Sequence, residues 1–219
     1  MLLTDAQIKE EMAKGTFCLE PYAPSCLQPA SYDLRVGKTA FASSSSERVD
    51  LTRKGLLRIE PGDFAVVETL ERVSFGNQIA AQLGLRSEYA RKGLLMLSGP
   101  QVDPGFNGVL VVRLINLAPD PAVLVFEAPF LTTQFFRLNE PVSVPYRGPY
   151  QGQDGITARD IQELTRTEGL TLGQVIKTLS SLASDVAELR GSVARLSWLV
   201  PLIVAIGMAV VGILVALRR

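Results

Sequence analysis

GLRSEYARKGLLMLSGPQVDPGFNGVLVVRLIN, residues 84–116, is the stretch on which the fold turns. Val109–Ile115 is a run of β-branched and aliphatic residues of strand length. Asp103-Pro104-Gly105 before it is turn chemistry, so Asp103 stands at the end of an apolar strand, where capping the turn is one role open to its carboxylate. Arg86, Ser87 and Arg91 set two guanidiniums and a hydroxyl close together. Guanidinium forks match phosphate oxygens, although a solvated basic turn has the same composition.

Outward from this stretch, short β-type runs alternate with Gly, Pro, Asn and Asp up to about residue 145, as in a sandwich or barrel. Further strands are expected at Phe64–Glu68, Ile79–Leu83, Ala122–Phe126 and Thr132–Phe136, with a polar loop at Ser43–Ser46. Near the start, Thr4 followed by Ile8 and Met12 reads as a capped short helix. YRGPYQGQDG (146–155) reads as a loop or mobile tail, followed by a short helix, Ala158–Glu168, closed by Gly169.

Beyond it, Leu172, Val175, Leu179, Leu182, Val186, Leu189, Val193 and Leu196 are spaced 3,4,3,4,3,4,3. This is a heptad seam with Leu172, Leu179, Val186 and Val193 at a, introduced by a Thr171/Gln174 capping box. Packing on the chain's own domain is the other reading of such a stripe. Trp198–Leu217 is uncharged and flanked by Arg195 and by Arg218–Arg219. Twenty apolar residues span roughly 30 Å as a helix, a bilayer core, and Trp198 sits at an interfacial position. The organisation expected is therefore 1–157 a β domain, 158–196 a helical linker and coiled-coil stalk, and 197–219 a single-pass C-terminal membrane anchor. MLLTDAQIKEEM has acids where a signal peptide carries bases, which leaves the soluble domain in the cytoplasm.

Composition removes several function classes. Lys+Arg and Asp+Glu are 22 each, so the basic excess of a nucleic-acid binder is missing and no nucleic-acid partner is expected. Histidine is absent, which excludes Ser-His-Asp and Cys-His catalysis and the HxE type of zinc deaminase. Cys18 and Cys26 lack CxxC spacing, so neither zinc nor any other protein-held metal is expected.

Five segments in order carry a resemblance. They are LTDAQIKEEMAKGTFCLEPYAPSCLQPASYDLRVG (3–37), IEPGDFAVVETLERVSF (59–75), GLRSEYARKG (84–93), VDPGFNG (102–108) and PYQGQDG (149–155). Together they resemble the dCTP deaminase/dUTPase family over residues 1 to about 157. The resemblance implies a mainly β, distorted jelly-roll barrel that forms homotrimers with sites shared between subunits. It implies a deoxynucleoside triphosphate as ligand, with Mg²⁺ carried on the triphosphate. Nucleotide binding would fall to Arg86, Ser87, Arg91, Asp103, Phe106, Arg113, Tyr150 and Gln153, and any catalysis to Asp103, Ser87 and Arg91. Asp103 would contact the deoxyribose, or activate water as in the dUTPase branch. Phe106 would lie near the sugar, and Tyr150 and Gln153 in a tail that closes over the nucleotide. Asp33 reads as structural.

Departures from the family pattern decide the chemistry expected. In deaminases of the family, the fifth residue after the VDPGFNG-type motif is a proton-shuttling glutamate. Here it is Arg113, with Asn116 keeping the register. Arginine stays protonated and cannot shuttle a proton. Were deamination observed, Glu127 is an acid that could stand in the role. Glu88 stands where the family has a second serine, Pro149 where it has a tail lysine, and only Gln134 of the fourth motif is clear. The expectation is a membrane-held nucleotide-binding sensor or effector without deamination. The alternatives are an active dUTP-type diphosphatase using Asp103, and dCTP deamination itself.

Overall fold

The computed structural model of the chain describes residues 1–45, 47–165, 175, 178–195, 197 and 207–208. The chain divides into two units, Met1–Gly173 and Gln174–Arg219.

The first unit is mainly β. Its strands are β1 Phe17–Glu20, β2 Leu27–Gln28, β3 Ser31–Ala42, β4 Arg48–Asp50, β5 Leu56–Ile59, β6 Phe64–Phe75, β7 Ile79–Leu85, β8 Leu94–Met96, β9 Gln101–Val102, β10 Asn107–Asn116, β11 Ala122–Val125 and β12 Pro129–Arg137. Its helices are α1 Asp5–Ala13, α2 Leu51–Lys54, α3 Ser87–Arg91 and α4 Ala158–Thr165. All five strands expected from sequence lie within or overlap observed ones.

Among the described residues the strands form a curled antiparallel sheet ordered β8-β10-β6-β3-β12-β7-β9, with β1 on β6 and β2 and β4 on β3. β11 and β5 make a separate two-stranded antiparallel sheet. The two ends of the path, β8 and β9, do not pair, so the sheet is a half-barrel. Register shifts at Val36/Ala40, Val109/Val111 and Pro129/Leu131 bend the long strands, as bulges do.

Apolar side chains from the concave face fill the core. Phe135 stacks on Phe17 with centroids 4.8 Å apart and meets Phe75 edge-on at 6.0 Å. Each fully buried ring or leucine contributes about 1.5–3 kcal/mol of burial. α1 closes one end of this core by burying Ile8. Thr4 caps it as expected and forms a reciprocal box with Gln7. At its far end the buried Glu11 accepts from Thr16 Oγ1 (2.8 Å) and Arg137 (2.8 Å). Burial alone would raise the Glu11 pKa, but the Thr16 hydrogen bond and the nearby Lys14 and Arg137 lower it below its ordinary value.

β10, the strand named first in the sequence, lies between β8 and β6. Buried Leu110, Val112 and Leu114 alternate with half-buried Val109, Val111 and Arg113. The second set lies under the segment after β12. Ile156 and Ile161 pack there with Phe41, Val66 and Val111. YRGPYQGQDG, expected as a loop or mobile tail, is a loop tied down along its length. Gln151 accepts from Asn107 N (3.0 Å) and donates to the Gly105 carbonyl (2.9 Å), and Gln153 O accepts from Val109 N (2.8 Å). Gly108 permits this approach, since a Cβ there would stand 3.0 Å from Gln153 O.

In the second unit residues 178–195 are helical. Leu179, Leu182, Val186, Leu189 and Val193 are 44–66% exposed along it. Among the described residues no helix is long and apolar enough to cross a membrane. The expected span Trp198–Leu217 lies outside the described residues except for Gly207 and Met208, as do the seam ends Leu172 and Leu196, the Thr171/Gln174 cap and residues 166–169 of the expected short helix.

Candidate functional site

A cavity of about 380 Å³ opens between β10, the β9–β10 turn, the end of β8 and the segment after β12. The local sequence explains each wall. Asp103-Pro104-Gly105 reverses the chain after β9, with Gly105 at φ +84°, a left-handed conformation that favours glycine. This turn leaves Asp103 on the rim, where Gln101 Nε2 donates to its Oδ1 (2.5 Å). Phe106 is buried in the core and also lines the cavity, so packing and site coincide in one ring. Tyr146 meets it edge-on at 5.6 Å.

Arg113 reaches the cavity from β10. Its backbone N–H donates to Ser98 Oγ (2.8 Å), and its guanidinium pairs with Glu163 of α4. Glu163 also accepts from Arg159 Nε (3.0 Å). The hydrogen bond from Arg113, then that from Arg159, holds the Glu163 carboxyl below the usual glutamate range. A depressed carboxylate pKa means that the pair contributes at neutral pH and is lost as acid titrates Glu163 through its lowered value.

The segment after β12 supplies the last wall through Tyr150, Gln153 and Asp160. Two contacts fasten it to the sheet at Ile156. Glu68 Oε2 accepts from Ile156 N (3.2 Å), and Arg48 donates to the Ile156 carbonyl (2.6 Å). Asp160 is buried, accepting from Thr157 N (2.8 Å), Thr157 Oγ1 (2.6 Å) and Gln153 Nε2 (3.3 Å).

Five of the residues singled out from sequence, Asp103, Phe106, Arg113, Tyr150 and Gln153, thus meet around one cavity. Arg86, Ser87 and Arg91 do not line it within the same chain. They sit at α3, where Arg86 is held by Asp33 (2.9 Å) and Asp33 also accepts from Thr132 Oγ1 (2.9 Å). Arg91 lies with Lys92 beside a separate open groove, and Glu88 pairs with Lys92 (2.9 Å). Glu127 is placed at the turn between β11 and β12 with φ +61° and does not line the cavity within the same chain.

Sequence reasoning passed over Ser98, Tyr146, Asp160 and Glu163. Only Asp160 had a local signal. Thr157-x-x-Asp160 is a capping box, with Asp160 N donating back to Thr157 Oγ1 (3.4 Å). Among the described residues, no cluster of three or more His, Cys, Asp or Glu is arranged to hold a metal ion.

Known proteins share this arrangement of sequence. Residues 2–128, more than half of the chain, match the family described as dCTP deaminase-like. A dCTP deaminase of Thermococcus gammatolerans is 40% identical over 152 residues, covering 69% of this chain and 92% of the relative. The chain belongs to the dCTP deaminase-like family. A second relative of this dCTP deaminase-like chain, a dUMP-forming dCTP deaminase of Salinispora arenicola, is 34% identical over 178 residues, covering 72% of this chain and 93% of the relative. In fold the chain is similar to the crystal structure of 2'-deoxycytidine 5'-triphosphate deaminase from Agrobacterium tumefaciens, with a TM-score of 0.52 at 20% identity. That match covers 63% of this chain and 48% of the solved one.

Proposed function

We propose that the cavity binds a deoxynucleoside triphosphate. The convergence of Asp103, Phe106, Arg113, Tyr150 and Gln153 on one cavity, in a chain whose relatives are named dCTP deaminases, is the observation that carries this reading. Asp103 suits a sugar hydroxyl as a hydrogen-bond acceptor, and Phe106 and Tyr146 offer apolar surface to the sugar and base. In a homotrimer, Arg86, Ser87 and Arg91 of a neighbouring copy would face the phosphates, with Mg²⁺ arriving on the triphosphate. Removing one charge-assisted guanidinium contact costs on the order of 2 kcal/mol, about thirtyfold in affinity. Arg91→Ala is therefore expected to weaken dCTP binding about thirtyfold by isothermal titration of the purified protein. Unchanged affinity would show that this end of α3 is only surface.

The names of the relatives favour dCTP deamination as the reaction, more than they favour a sensing role. Against it stands Arg113. A permanent cation occupies the wall where deaminases of the family carry a glutamate. Asp160, also on the cavity wall, holds Thr157 and Gln153 through its Oδ2. The reading adopted is nucleotide binding without deamination, with hydrolysis at Asp103 the remaining catalytic possibility. The heptad seam and the apolar stretch Trp198–Leu217 add the proposal that a coiled-coil stalk and one membrane helix hold the β unit at the cytoplasmic face of a membrane. Separation of membranes from soluble material by centrifugation tests this anchor, and release by carbonate washing would contradict it.

A further inference from the structure

The helix at residues 178–195 exposes the seam residues Leu179, Leu182, Val186, Leu189 and Val193. With Leu179 and Val186 at a, the flanking g positions are Thr178, Asp185 and Ser192, and the flanking e positions are Ala183, Arg190 and Ser197. Asp185 and Arg190 are the two charged residues in this set, both exposed, and neither forms an ion pair within the chain among the described residues. Their spacing is the informative feature. In a parallel, in-register coiled coil, the g residue of one helix lies against the e residue of the next heptad on its neighbour. That residue is five positions further on, and Asp185 plus five is Arg190. Antiparallel pairing sets g against g and e against e. Asp185 would then face Thr178, Ser192 or another Asp185, and Arg190 would find no acid.

We infer that the partner of this helix is the same helix of a second copy of the chain, parallel and in register, with Asp185 of each copy paired to Arg190 of its neighbour. The inference rests on the proposed stalk and is independent of the nucleotide site. Charge complementarity selects the occupant, because the pairing recurs in every copy without any other protein. Parallel helices also bring all C-terminal segments to one side, as a common membrane requires.

Disulfide mapping on the full chain in detergent tests this, in a Cys18→Ser background because Cys18 is exposed and Cys26 buried. Leu182→Cys and Leu189→Cys, both at d, are oxidised separately. Each is expected to link to itself, whereas an antiparallel pair brings at most one site onto itself at its two-fold axis. Asp185→Arg should then cut cross-linking several-fold, and Arg190→Asp added to it should restore the yield. Self-linking at one site only, at neither site, or a yield indifferent to the charge swap would overturn the inference. dCTP binding measured on the same variants should stay unchanged throughout. Lost cross-linking with dCTP binding intact overturns the stalk and leaves the nucleotide site standing.

Discussion

Glu71→Ala is expected to destabilise the β unit by about 3–5 kcal/mol, the cost of leaving one partner of a buried ion pair uncompensated. Glu71 is fully buried on β6. Its Oε1 accepts from Arg35 Nε (2.6 Å) and its Oε2 from the Arg35 backbone N–H (2.8 Å). Arg35 in turn donates to the Pro21 carbonyl (2.9 Å), so one carboxylate holds β3, β6 and the entry to the fold together. Urea unfolding followed by circular dichroism measures the loss. The pair itself need not be favourable against an apolar replacement, since desolvating two charges offsets much of their attraction. Replacing both residues, Arg35→Met with Glu71→Leu, should therefore recover much of the stability. A loss below about 1 kcal/mol for Glu71→Ala would show that water reaches Arg35 and that the pair is not an organising contact.

Phe135→Ala should cost a similar about 3–5 kcal/mol, through a different mechanism. The ring has no exposed surface, stacks on Phe17 and meets Phe75 at an interplanar angle of 87°. Its removal leaves a cavity between β12, β1 and β6 that the surrounding strands cannot close without breaking their registers. The same urea experiment applies, with Phe135→Leu as the milder control. Equal midpoints for Phe135→Ala and the parent chain would mean that the aromatic cluster is loosely packed.

These two residues also mark what a reading of sequence can and cannot reach. Phe135 belongs to Thr132–Phe136, a run whose composition already spoke for a strand. Glu71 sits in a strand too, but a charged residue in a strand reads as solvent-facing, and nothing nearby in sequence announces Arg35 as its partner. β3 was not legible as a strand for a related reason. Arg35, Gly37 and Lys38 interrupt its apolar character, and both of its faces are largely covered, so no alternation remains to be seen. The cavity was half legible. Asp103, Phe106 and Arg113 lie on one turn and the strand after it, where local chemistry places them together. The approach of residues 146–160 to that strand depends on contacts such as Gln151 with Asn107, which local sequence cannot report. Arg86 and Arg91 were grouped with Asp103 by motif. Their separation within one chain follows from tertiary structure: β9 runs antiparallel to β7 with Val102 beside Ala81, so Asp103 and Arg86 leave that strand pair at opposite ends, and Asp33 of β3 holds Arg86 at its end.

The most direct test is to incubate the full chain in detergent with dCTP and Mg²⁺, measuring bound nucleotide by equilibrium dialysis and products by chromatography. Saturable dCTP binding without dUTP or dUMP is the expected result, because Arg113 occupies the wall on which a deaminase needs its proton shuttle. Absence of binding would contradict the nucleotide site. Formation of dUTP or dUMP in proportion to protein would contradict the loss of deamination.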